Sequence, residues 1–157
     1  MPSSYDRGMD ARPVLESIAQ ARQETGLEAI LIGNAAAALQ GAPVTTIDID
    51  FFFCPTPHNI HKLKTVADRL GAVMFRPQYP VSKLIRLIRD DDGLQVDFMG
   101  AIDGVRSFES LRAKAETVDF GGSPMLVATR AAILKTKRAA GRPEGSGRVS
   151  YSGEGAA

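Results

Sequence analysis

The fold turns on two stretches, Ala29-Ile30-Leu31-Ile32-Gly33-Asn34 and Thr45-Thr46-Ile47-Asp48-Ile49-Asp50-Phe51-Phe52-Phe53. The first is a short apolar run closed by glycine, the pattern of a buried strand that ends in a turn. Asn34 can then cap a short helix over Ala35 to Gln40, where alanines favour helix and Gly41 stops it. The second stretch is rich in β-branched and aromatic residues, which suit a pleated, half-buried surface. Side chains alternate along a strand, so Asp48 and Asp50 point the same way, with Cα atoms about 6.8 Å apart. Ile47, Ile49 and Phe51 take the other face. Aspartate is depleted in strands, and two of them beside three phenylalanines call for a reason.

Divalent metal is one such reason. Hard oxygen ligands on one face suit Mg²⁺ or Mn²⁺, which are held by one or two carboxylates together with substrate phosphates. Leu94-Gln95-Val96-Asp97-Phe98 offers a third carboxylate. Leu94, Val96 and Phe98 form its apolar face, so Asp97 points away from them. Gly33 lets backbone N–H groups approach a ligand at the positive end of the following helix.

Working outward, Ala11 to Thr25 carries Val14, Leu15, Ile18 and Ala21 at helical spacing and ends at Gly26. His58 to Leu70 repeats the pattern and ends at Gly71, after the Cys54-Pro55-Thr56-Pro57 break. Ser82 to Arg89 and Leu94 to Met99 flank Asp90-Asp91-Asp92-Gly93, a hairpin signal that accounts for those three acids. Phe108 to Glu116 reads as helix, and Val118 to Val127 as a hairpin turning at Gly121-Gly122. Thr129 caps a last helix, Arg130 to Ala140. This order gives an α+β fold, a mixed β-sheet flanked by helices. Lys83, Arg86 and Arg89 read as a solvated strand face or as edge protection. His58 and His61, near Cys54, lack the spacing of a zinc site.

The chain has 157 residues, 44% hydrophobic and 24% charged, and a net charge of +1. That length suits one domain, expected over 11–142, with a flexible N-terminus over 1–10. The Gly/Ser-rich tail over 143–157 cannot build a core and is expected to be disordered. The charge balance excludes a strongly basic whole-protein footprint for duplex DNA. One cysteine, no apolar run near the about 20 residues that span a bilayer, and no signal-peptide pattern fit a cytoplasmic protein without membrane contact.

In order and spacing, Leu31-Ile32-Gly33-Asn34, Leu39-Gln40-Gly41, Thr46-Ile47-Asp48-Ile49-Asp50 and Val96-Asp97-Phe98 resemble the nucleotidyltransferase fold of the polymerase-β superfamily. Small bacterial minimal nucleotidyltransferases and the nucleotidyltransferase-type toxins of abortive-infection systems are the members it looks most like. Lys137-Arg138-Ala139-Ala140-Gly141-Arg142-Pro143 is similar to a helix end in many relatives, so the resemblance runs from Glu28 to Pro143. It implies metal-dependent transfer of a nucleoside monophosphate from a nucleoside triphosphate to a hydroxyl of RNA, protein or a small molecule. It implies catalytic and metal-binding roles for Asp48, Asp50 and Asp97, and nucleotide binding by Gly33, Asn34, Thr46 and Lys137. The alternative is a non-catalytic partner of the same fold, such as an antitoxin-like regulatory protein acting with a partner protein.

Overall fold

In the computed structural model, residues 11–33, 35–36, 48–76, 83–102, 104–129, 131–132, 134 and 138 are described. The expectations for the N-terminus, the tail, the helix beyond Ala36, Asn34, Thr46 and Lys137 lie outside them.

Helix α1 (Arg12–Thr25) buries Val14, Leu15, Ile18, Ala19 and Ala21, the stripe its spacing requires. It ends at Gly26, where φ of +76° lets the backbone N–H close on the Arg22 carbonyl. Strand β1 (Ala29–Ile32) follows, then β2 (Asp48–Phe53). Helix α2 (Pro57–Leu70) starts at Thr56, whose hydroxyl accepts from the Asn59 N–H, and stops at Gly71. Strands β3 (Val73–Phe75), β4 (Leu84–Arg89) and β5 (Leu94–Met99) come next. A short helix α3 (Phe108–Arg112) precedes the hairpin β6 (Ala115–Phe120) and β7 (Ser123–Ala128). Thr129 accepts from the Ala132 N–H, as a cap should.

Among the described residues seven strands form one mixed sheet in the order β3-β4-β5-β2-β1-β7-β6. The β2–β5 and β1–β7 pairs are parallel, and the other four are antiparallel. Leu31, Ile49, Phe51, Phe53, Leu87, Val96, Phe98 and Val127 are fully buried on the face packed by α1 and α2. Phe98 stacks on Phe51 at 4.9 Å between ring centroids and meets the edge of Phe53 at 6.1 Å, locking β5 to β2.

Two local expectations change. The helix expected over Phe108 to Glu116 ends at Arg112, because 115–120 pairs with β7, Ala115 lying opposite Ala128. Ladder hydrogen bonds along that strand outweigh the weak helix preference of a short segment. The strand β3 was not expected: three residues without a period carry too little signal. Its presence makes β4 an interior strand, so edge protection does not explain Arg86 or Arg89.

Candidate active site

The second sheet face carries the polar residues. Parallel register sets Asp50 of β2 directly beside Asp97 of β5, and Asp48 beside Gln95. Neighbouring strands run about 4.8 Å apart, so the two carboxylate-bearing positions stand abreast on one face. Asp48 occupies the start of β2 on that same alternation. Antiparallel register with β1 places Ile32 opposite Asp50, with Gly33 immediately beyond.

Gly33 has φ of +74°, and a Cβ built there would lie 2.8 Å from Asp50 Oδ2 and 3.3 Å from Asp50 Cβ. Backbone conformation favours glycine here, and a side chain would also push against Asp50. The strand–Gly turn thus lies against the carboxylate of Asp50. Ala35 and Ala36, just after it, are helical and buried.

On its other flank Asp97 faces Arg86 of β4, its direct partner in register. Arg86 Nε donates to Asp97 Oδ1 at 2.8 Å and Nη2 donates to Oδ2 at 3.1 Å. Gln95 Nε2 donates to the same Oδ2 at 3.3 Å. The Asp97 side chain is 13% exposed and that of Arg86 37%. Sequence reasoning took Arg86 as part of a solvated or edge-protecting face and missed this partner, which the register of the β4–β5 hairpin brings opposite it.

Other polar residues are tied down elsewhere. Arg89 grips Asp92 with two hydrogen bonds, at 3.0 and 2.7 Å, and donates to the Leu70 carbonyl at 3.0 Å. Asp92 also accepts from the Leu94 N–H, so this acid belongs to the hairpin turn. The Arg89 hydrogen bond holds the Asp92 carboxyl below its ordinary value. His58 and His61 are exposed on α2. Among the described residues no group of three or more His, Cys, Asp or Glu gathers to hold a metal ion. The Asp48 side chain falls outside that description.

A cavity of about 560 Å³ is lined by Gly104, Val105, Arg106, Ser110, Leu111, Lys114 and Ala132. Phe108 of α3 packs its ring 5.9 Å from that of Phe52, which shares a face with Asp50. Lys114 precedes Ala115, the partner of Ala128. Ala128 lies one residue beyond the Leu31–Val127 pairing, level with Ile32 and hence with Asp50. The Lys114 wall of the cavity therefore lies near the β6 edge of the sheet, with β1 and β7 between β6 and the Asp50 strand.

No protein-family model and no curated protein matches the sequence. Solved structures do match. TM1012 of Thermotoga maritima, itself only inferred to be a nucleotidyltransferase, is 21% identical with a TM-score of 0.56, over 78% of this chain and 79% of that one. The lincosamide antibiotic adenylyltransferase LnuA, in its lincomycin-bound form, is 14% identical with a TM-score of 0.55, over 78% and 82%. The antibiotic-resistance factor ANT(2'')-Ia is 18% identical with a TM-score of 0.54, over 78% and 66%.

The chain has a nucleotidyltransferase fold. At these identities the likeness speaks for the nucleotidyltransferase fold alone, and the chemistry has to come from the residues. Two oxygen donors standing abreast, with a glycine where a side chain would collide with one of them, fit a hard divalent cation and a close-lying phosphate. Among the described residues no helix is long and apolar enough to cross a membrane.

Proposed function

We propose that the chain is a metal-dependent nucleotidyltransferase. The observation that carries this reading is the row Gly33–Asp50–Asp97, with two carboxylate positions in register and a glycine turn against one of them. Asp48, Asp50 and Asp97 would hold Mg²⁺ or Mn²⁺, which when bound supplies electrostatic stabilisation of the charge that develops on phosphoryl oxygens. Gly33 and Asn34 cradle the phosphates at the start of the following helix, and Thr46 and Lys137 add contacts to the nucleotide.

In the reaction an acceptor hydroxyl oxygen bonds to the α-phosphorus of a nucleoside triphosphate. The bond from that phosphorus to the β-bridging oxygen breaks, pyrophosphate leaves, and the hydroxyl proton passes to a carboxylate of the cluster. Two structural neighbours are named for antibiotics: lincomycin-bound LnuA, and ANT(2'')-Ia in complex with adenylyl-2''-tobramycin. Here the cavity bounded by Lys114, which leads into β6, carries Arg106 and Lys114 among its described lining. Such a lining favours an acceptor that bears negative charge, an RNA end foremost, over a polycationic antibiotic.

Incubation with α-labelled nucleoside triphosphates, Mg²⁺ or Mn²⁺, and separate RNA, protein and small-molecule hydroxyl pools tests the proposal. Label should enter one acceptor pool with release of pyrophosphate, and Asp50→Asn and Asp97→Asn should abolish it. Triphosphate binding without label in any pool would favour a non-catalytic partner of the same fold.

A further inference from the structure

We infer that Arg86 is a positioning residue that fixes Asp97 and weakens the site's hold on a free divalent cation, so that the cation is retained only together with a triphosphate. The inference rests on the proposed metal-dependent reading. It starts from the hydrogen-bonding capacity of one carboxylate. An ionised carboxylate offers about four lone-pair positions. Arg86 Nε takes one on Asp97 Oδ1, while Arg86 Nη2 and Gln95 Nε2 share Oδ2. One position on Oδ1 is left for a further partner. Asp97 can therefore offer a cation a single lone pair, from a side chain already locked in one rotamer.

Bidentate guanidinium–carboxylate pairing is short and directional, and its planar fork fixes both groups at once. The strand register enforces it, since Arg86 and Asp97 are direct partners across β4 and β5. The two remaining neighbours in the row oppose each other in charge. Asp50 lies on one flank of Asp97 and Arg86 on the other. The trio Asp50, Asp97 and Arg86 thus sums to −1, that is −2 + 1, where two carboxylates alone would carry −2. A cation approaching Asp97 meets the positive charge of Arg86, held against it by two hydrogen bonds. A triphosphate brings its own oxygen ligands and negative charge, and so offsets that repulsion.

The test is Mn²⁺ binding without nucleotide, measured by calorimetry on the full chain, for wild type, Arg86→Met, Arg86→Gln and Arg86→Lys. The two neutral variants should bind Mn²⁺ about tenfold more tightly than wild type, equivalent to about 1.4 kcal/mol. Their dependence on added triphosphate for cation retention should fall. Arg86→Lys keeps the charge and should return affinity to the wild-type value, while losing the fork and with it turnover at unchanged metal KM. Two neutral variants give the measurement a second route if one fails to fold. Mn²⁺ affinity unchanged or weakened in folded neutral variants overturns the inference and leaves the nucleotidyltransferase reading standing. Absence of Mn²⁺ binding in wild type and in every variant, with and without triphosphate, overturns both.

Discussion

Gly33→Ala probes the contact between the turn and the carboxylate row. Two costs add at this position. The first is conformational, because φ of +74° suits glycine and costs an alanine about 1 kcal/mol. The second is steric. A Cβ would stand 2.8 Å from Asp50 Oδ2 and 3.3 Å from Asp50 Cβ, and the latter is anchored to the β2 backbone. Crowding of this kind costs about 1–2 kcal/mol. Gly71→Ala supplies the reference, since Gly71 has φ of +67° and nothing within 4 Å of its built Cβ. In urea melts Gly71→Ala should cost about 1 kcal/mol and Gly33→Ala about 2–3 kcal/mol. For a chain of this size the Gly33 variant would then melt about 4–12 °C lower. Asp50→Ala in the Gly33→Ala background should recover about 1 kcal/mol of the steric part, because the nearest atom is gone. A Gly33→Ala variant no less stable than Gly71→Ala, or strictly additive with Asp50→Ala, would refute the packing of turn against carboxylate.

Other outcomes follow from named contacts. Asn59 is buried; its side-chain oxygen accepts from the Glu28 N–H, and its amide donates to the Glu28 and Cys54 carbonyls at 3.3 and 2.8 Å. Asn59→Ala strands the Glu28 N–H, while the Glu28 and Cys54 carbonyls still accept from the Cys54 and Thr56 N–H groups, and should cost about 1–3 kcal/mol in denaturant melts. Phe98→Ala removes a ring held between Phe51 and Phe53 and should cost about 3–5 kcal/mol by the same measurement. Asp92 is held below its ordinary value of 3.8, first by the Arg89 hydrogen bond. Its contribution to stability is therefore present above that value and lost as pH falls through the folded-state value. Asp92→Asn should flatten the acid limb of a stability–pH profile below about pH 4 and leave the neutral limb's slope unchanged. Burial, with Glu28 and Glu109 nearby, raises the Cys54 thiol, so alkylation at pH 7 should be slower than for a free thiol and rise with pH.

The sheet was legible where pattern and chemistry agreed. Alternation along Asp48–Phe53 and Leu94–Met99 separated polar from buried residues, and the Asp-Gly turn joined β4 to β5. Glycine caps at Gly26 and Gly71 marked the ends of α1 and α2 because both require positive φ. Features that depend on distant partners were not legible. Asn59 reads as a surface residue of an amphipathic helix until the chain around Glu28 folds against it. Arg86 reads as solvated until the register of β4 with β5 brings Asp97 opposite. The hairpin over β6 and β7 was legible from Val118 onward, but Ala115 and Glu116 at the start of β6 look helical because pairing with β7, not composition, decides their state. The pairing of Asp50 with Asp97 is intermediate. Each face was readable in its own strand, but only the parallel register sets the two abreast.

The most direct test of the central claim is calorimetric titration of a non-hydrolysable nucleoside triphosphate into the full chain, with Mg²⁺ and then with the metal chelated. The account predicts saturable binding at one site per chain with Mg²⁺, lost on chelation and lost in Asp50→Asn and Asp97→Asn. Binding that ignores both the metal and the two aspartates, or no binding under either condition, would contradict it.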